Sequence, residues 1–186
     1  MKSTSTALEG VRILEPSIFS DERGYFCETY NQSTLKALGI AAHFVQDNES
    51  LSHHGVVRGL HFQKPPFAQA KLIRVLEGEI LDVVLDIRLS SPTFGRSTSV
   101  VLSSDNHLQL FVPKGFAHGF SVLSAQARIA YKCDAFYTPQ SEGVIDAFDG
   151  DLSIDWKIDP PLILRSEKDR CAALSFAAYR DKPAFV

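Results

Sequence analysis

Runs of four to eight mostly apolar residues, each closed by turn formers, recur along the chain at 11–14, 24–30, 71–76, 80–87, 97–102, 109–112, 119–123 and 127–133. Runs this short and this closely spaced fit strands, because a helix that buries one face needs about 10 residues or more. The pattern predicts an all-β sandwich or barrel. In Ile80-Leu81-Asp82-Val83-Val84-Leu85-Asp86-Ile87 a period of two puts Leu81, Val83, Leu85 and Ile87 on one face, with Asp82 and Asp86 on the other. Both carboxylates are then expected to look the same way, into a cavity if the sheet closes over one.

Helix is confined to short pieces. Residues 33–38, with Ser33 as candidate cap and Gly39 as stop, make about one and a half turns. A second helix begins at Ser166, with Asp169 on its first turn. Lys64-Pro65-Pro66 and Asp159-Pro160-Pro161 punctuate loops.

A chain of 186 residues can bury a core without staples, and no repeat, low-complexity segment or linker divides it, so residues 1–186 are expected to form one domain. With 19 Lys and Arg against 22 Asp and Glu, the net charge of -3 gives no general attraction to nucleic acid or to an anionic membrane. Cys27, Cys133 and Cys171 are odd in number and lack C-x-x-C spacing, which argues against a disulfide framework and a zinc site. Residues 1–10 are polar and no apolar run reaches the length of a bilayer span, so a soluble, cytoplasmic protein is expected.

Against this bland background, several ionisable groups sit on apolar segments. Val57-Arg58-Gly59-Leu60-His61-Phe62-Gln63, the lone ammonium of Lys71 and Pro113-Lys114-Gly115-Phe116-Ala117-His118 place histidines and cations among Leu, Phe and Val. Burying such groups costs free energy unless they are hydrogen-bonded or used, so their repetition points to an enclosed reactive pocket.

Arg58 to Gln63, together with Phe44-Val45-Gln46-Asp47-Asn48, Ser91-Pro92-Thr93-Phe94-Gly95 and Gly115-Phe116-Ala117-His118-Gly119-Phe120, resembles the dTDP-4-dehydrorhamnose 3,5-epimerase family in content and in order, from about residue 15 to about residue 169. Pro113-x-Gly115-x-x-His118 also resembles the second motif of the cupin superfamily. The resemblance implies a cupin-type double-stranded β-helix, a jelly roll with a few short helices and a site inside the barrel. Metal-binding cupins add a His-x-His pair and a glutamate in their first motif, whereas Phe62 and Gln63 follow His61 here. His53 and His54 are adjacent, so a strand would point them to opposite faces. No metal and no other cofactor is expected.

What the resemblance implies residue by residue can be weighed against plainer roles. His61 becomes the catalytic base; an imidazole with an ordinary pKa of about 6.5 can take and return a proton at cell pH. Asp169, otherwise a helix-start residue, becomes the carboxylate that orients it. Lys71, otherwise a solvated lysine, would stabilise an enolate oxygen. Tyr131 matches the family's proton-donating tyrosine, and Tyr137 the ring that stacks on thymine, although either could be a packing aromatic. His118 would bind a sugar oxygen with Asp82 fixing its tautomer, unless the two form only a structural pair. Arg23, Glu28, Gln46, Asn48, Arg58, Glu142 and Lys168 fall on substrate contacts, arginine suiting a diphosphate through its fork of donors. Phe19 and Phe26 are expected as apolar walls.

The implied reaction is epimerisation at C3 and C5 of a nucleotide-linked 4-keto-6-deoxyhexose, and the implied partner is a second copy of the chain. Phe136 stands where many relatives carry a tyrosine. Residues 145–150 replace an aromatic and Asn-Asp-Pro segment, and no proline follows Asp169 closely. These departures keep open a 3-epimerase or 5-epimerase of another deoxysugar. A non-catalytic sugar-binding jelly roll would not need His61, Lys71, Tyr131 and Asp169 together, and a metal-dependent oxygenase would need the missing ligands.

Overall fold

A computed structural model describes residues 1–186. Two antiparallel sheets face each other. One carries, in spatial order, β1 (Lys2–Ser5), β2 (Arg12–Glu15), β10 (Gln109–Val112), β7 (Lys71–Glu77), β12 (Gln126–Cys133) and β5 (Gln46–His53). The other carries β13 (Glu142–Val144), β6 (Val57–Gln63), β11 (Phe116–Val122), β8 (Glu79–Asp86) and β9 (Ser97–Ser103). The expected jelly roll is the fold observed. No helix is long and apolar enough to cross a membrane.

Period-two patterning builds the layers. Ile73, Val75, Leu110, Val112 and Ile129 of the six-stranded sheet meet Ile80, Val84, Phe116 and Phe120 of the five-stranded sheet in one core. Leu81, Val83, Leu85 and Ile87 point the other way, against Trp156, Phe176 and Tyr179. Strand β8 is therefore buried on both faces, each such side chain contributing about 1.5–3 kcal/mol. A third core, with Leu14, Leu35, Ile40, Leu72 and Phe111, forms where α1 (Gln32–Ala37) covers the back of the six-stranded sheet.

Several expectations need correction. Asn31, not Ser33, caps α1: its backbone is extended, and its side-chain oxygen accepts from the amides of Ser33 and Thr34. The run at 24–30 stops as strand β4 at Cys27 (Gly24–Cys27), which pairs only with β3 (Ile18–Asp21) in a separate hairpin. Asp82 and Asp86 do share a face of β8, but Asp86 sits at the far end of the strand. There it accepts from Arg88, Ser91 and Thr93 rather than facing the site. Ser166 does cap α2 (Glu167–Cys171), accepting from the Asp169 amide, while α3 (Phe176–Asp181) was not expected.

The pairing of β6 with β11 is irregular. His61 lies opposite His118 and Arg58 opposite Phe120, so Gly59 and Leu60 together face Gly119 alone. Gly59 has φ +132°, and a Cβ on it would lie 2.7 Å from Gly119 Cα. Only glycine fits that bulge.

Candidate active site

The bulge decides what faces the barrel interior. Residues three apart on a regular strand point to opposite sides. With one extra residue between them, Arg58 and His61 line the same cavity of about 240 Å³, together with Lys71, His118, Tyr131, Tyr137 and Glu142. An adjoining lobe of about 270 Å³ shares His61, Lys71, Tyr131, Tyr137 and Glu142 and adds Gln46, Asn48, Gln63 and Cys133. His61, Arg58 and His118 come from the five-stranded sheet, Lys71, Tyr131, Gln46 and Asn48 from the six-stranded one.

His61 Nε2 lies 2.6 Å from Asp169 Oδ1. The carboxylate is buried, and burial alone would raise its pKa. The hydrogen bond and charge of His61, the Ser166 hydroxyl and the Arg165 cation outweigh burial and hold it below the ordinary aspartate value. An ionised Asp169 accepts, so Nε2 carries the proton and Nδ1 is left as the basic nitrogen. Asp169 thus sits on the first turn of α2, its amide donating to the Ser166 cap while its carboxylate meets the imidazole.

Across the cavity, the Lys71 ammonium lies 5.8 Å from the centre of the Tyr131 ring. Burial lowers the Lys71 pKa, partly countered by Cys133, Asp82 and Glu142. Burial likewise raises that of Tyr131, so the phenol stays protonated at neutral pH. Both Asp82 oxygens lie within hydrogen-bond reach of His118 Nε2, at 2.9 and 3.0 Å. His118 is therefore held by Asp82 and still lines the cavity.

At the mouth, Tyr137 is half-exposed, its amide donating to Gln46 Oε1 and its hydroxyl to Glu142 Oε2, each at 2.8 Å. Lys168 donates to the same Glu142 oxygen. Gln46 in turn donates to Asn48, and Arg58 Nε to the Ser52 hydroxyl. Arg23, Phe19 and Phe26 are not brought here: they sit on the β3–β4 hairpin, Phe19 and Phe26 being 65% and 69% exposed and Arg23 paired with Asp21. Glu28 follows that hairpin and accepts from Asn31.

Among the lining residues that the sequence did not mark, Gln63 and Cys133 shape the site. Gln63 ends the Arg58–Gln63 motif, where the sequence shows only that it is not a metal ligand. Buried, it donates to the carbonyls of Phe67 and Phe136 and accepts from the Thr138 amide, which holds the loop bearing Tyr137. Cys133 lies opposite Lys71 in the β7–β12 register, and burial pushes its thiol up to about 11, leaving it inert. No sequence signal marked it. No group of three or more His, Cys, Asp or Glu side chains gathers as a metal ion would need.

A jelly roll with a carboxylate-held imidazole on one wall of its cavity and a phenol on the other carries the groups that enzymes use on bound small molecules. Its relatives agree, for the model of the family described as dTDP-4-dehydrorhamnose 3,5-epimerase matches residues 5–176, and the chain belongs to that family. The enzyme of that name from Methanothermobacter thermautotrophicus is 45% identical over 183 residues, covering 97% of this chain and 96% of its own. A crystal structure of the Elizabethkingia anophelis enzyme is 51% identical with a TM-score of 0.91, covering 98% of each chain. The dTDP-6-deoxy-D-glucose-3,5-epimerase of Legionella pneumophila, solved with dTDP-4-keto-L-rhamnose, is 48% identical with a TM-score of 0.89, covering 93% of this chain and 92% of that one.

Proposed function

We propose that this chain is an epimerase that inverts C3 and C5 of dTDP-4-dehydro-6-deoxy-D-glucose to give dTDP-4-dehydro-L-rhamnose, with residues 1–186 acting as one domain. The observation that carries the reading is the placement of His61 and Tyr131 on opposing sheets around one cavity. A sugar ring held between them meets a base on one face and an acid on the other. Family membership and a relative solved with the ketosugar support this substrate class.

The C4 ketone acidifies the hydrogens on C3 and C5, so a base is enough and no cofactor is needed. His61 Nδ1 takes one proton, and the electron pair moves onto the C4 oxygen as an enolate. Lys71, helped by His118, stabilises that oxygen in a partly dry site. The Tyr131 hydroxyl then protonates the same carbon from the opposite face, which inverts it. The imidazolium loses its proton, the phenolate regains one, and the second carbon follows.

Tyr137 stacks on the nucleotide base, with Gln46, Asn48, Glu142 and Lys168 framing it and Arg58 on the diphosphate. Two copies form a homodimer in which the β3–β4 hairpin of one lends Arg23, Phe19 and Phe26, and the residue after it Glu28, to the other's site. The exposed aromatic hairpin, paired with no other strand, supports that arrangement. A cytoplasmic location goes with a nucleotide-sugar substrate.

Incubation with dTDP-4-dehydro-6-deoxy-D-glucose in deuterated water tests the reading: deuterium is expected at both carbons of the inverted product. Label and inversion at C3 or C5 alone would reduce the activity to a single-centre epimerase, and no label would overturn it.

A further inference from the structure

We propose that Arg165 is a positioning residue for the His61–Asp169 pair, locking the carboxylate to the strand that carries the imidazole; the proposal rests on reading His61 as the base. Helix α2 has five residues, too few to hold its own shape, and its Ser166 cap fixes only its start. Asp169 is among its last four carbonyls, which lack intrahelical partners. A guanidinium nitrogen of Arg165 donates to that carbonyl at 2.5 Å.

The same nitrogen donates to Asp146 Oδ1 at 2.7 Å. Asp146 is itself anchored: its amide donates to the Leu174 carbonyl, and its neighbour Ile145 exchanges two backbone hydrogen bonds, of 2.9 and 3.0 Å, with Leu60. Leu60 precedes His61 on β6. The contacts therefore close a ring, from His61 through Leu60, Ile145, Asp146 and Arg165 to Asp169 and back to His61. Just before Arg165, the Leu164 carbonyl accepts from the Val57 amide at the start of the same strand.

The guanidinium is packed as well as bonded, lying 4.9 Å from the centre of the Phe148 ring with its side chain 14% exposed. Its Nε is buried without a hydrogen-bond partner. An unmet buried donor costs free energy, and filler packing could be done by an apolar side chain without that cost. What the arginine adds is a charged donor nitrogen that joins the Asp169 carbonyl to the Asp146 carboxylate. Asp146 supplies the carboxylate of the ring, and Phe148, two residues on, supplies the face against which the guanidinium packs.

The test compares Arg165→Gln, Arg165→Lys, Asp146→Asn and Asp169→Asn in the full chain. Loosening the carboxylate should lower kcat about tenfold in Arg165→Gln with KM within about twofold, because a displaced base acts on the transition state more than on binding. The low-field proton signal of the imidazole N–H shared with Asp169 should weaken in step. Arg165→Lys should recover part of both, and Asp146→Asn should fall the same way, with the double variant no worse than Arg165→Gln. Wild-type kcat in Arg165→Gln with only a lower melting temperature, beside a normal loss in Asp169→Asn, overturns the positioning role alone. An unimpaired Asp169→Asn removes the base reading and this proposal with it. Should Arg165→Gln not fold, Asp146→Asn is judged by the same measurements.

Discussion

His61 and Tyr131 line one cavity from opposing sheets, one held by the buried Asp169 carboxylate and the other kept protonated by its burial. Inversion at carbon requires a proton to leave by one face and arrive by the other, and a two-walled barrel separates the two groups without any conformational change. Neither wall alone could do this, since strands of one sheet present their inward side chains to the same face of a ligand.

Removing the two groups should therefore have different consequences. His61→Ala should lose solvent-deuterium exchange by about 10²–10⁴-fold. Tyr131→Phe should keep part of the exchange and lose the inverted product. Mass spectrometry of recovered substrate separates them, and undiminished uptake in His61→Ala would refute its role as base.

Nucleotide affinity should reside at the mouth. Tyr137→Ala is expected to raise KM with little change in kcat, since stacking is made equally in ground and transition states. Tyr137→Phe keeps the ring and loses the bond to Glu142, so it should show a smaller rise. Arg58→Ala should raise KM with some loss of kcat, because a loosely anchored diphosphate misplaces the sugar. A lowered melting temperature with unchanged KM in Tyr137→Ala would show a packing ring instead.

Charging the hairpin should split the proposed dimer. Phe19→Asp with Phe26→Asp alters two exposed side chains of β3 and β4, so the barrel should keep its melting profile while light scattering reports a monomer of low activity. A fully active monomer in the unmodified protein would contradict the arrangement.

Asp86 should make the fold acid-sensitive. Burial pushes its pKa up, but bonds from Arg88, Ser91 and Thr93 outweigh burial and hold it at about 2, against 3.8 ordinarily. A depressed carboxylate stabilises the folded state above its unfolded pKa, and that contribution is lost as pH falls from 3.8 toward about 2. Asp86→Asn should therefore melt lower than the parent at pH 7, with the gap closing over that window. A gap that stays constant through the titration would show that charge is not the source.

The strands were legible where apolar residues dominate a short run. Ile80 to Ile87 gave its face assignments, and residues 109–112 their bounds. Strand β5 was missed because Gln46–His53 is almost wholly polar, one side lining the cavity mouth and the other facing solvent, so no apolar alternation marks it. At the site, the apolar setting of His61 and His118 advertised a pocket, and family resemblance supplied Asp169 and Tyr131. The ring through Asp146 and Arg165 was invisible, since it joins residues far apart in sequence whose charges look like ordinary surface polarity.

The extra residue in β6 gives the strand something like a reading frame. Arg58 and His61 share a wall only because Gly59 and Leu60 together occupy the space opposite Gly119. Deleting either one would restore regular pairing and turn one of the two side chains out of the barrel, however well the chain still folded. Length changes that a loop such as 64–69 can absorb are thus forbidden within this four-residue stretch, where the count of residues carries as much information as their identity.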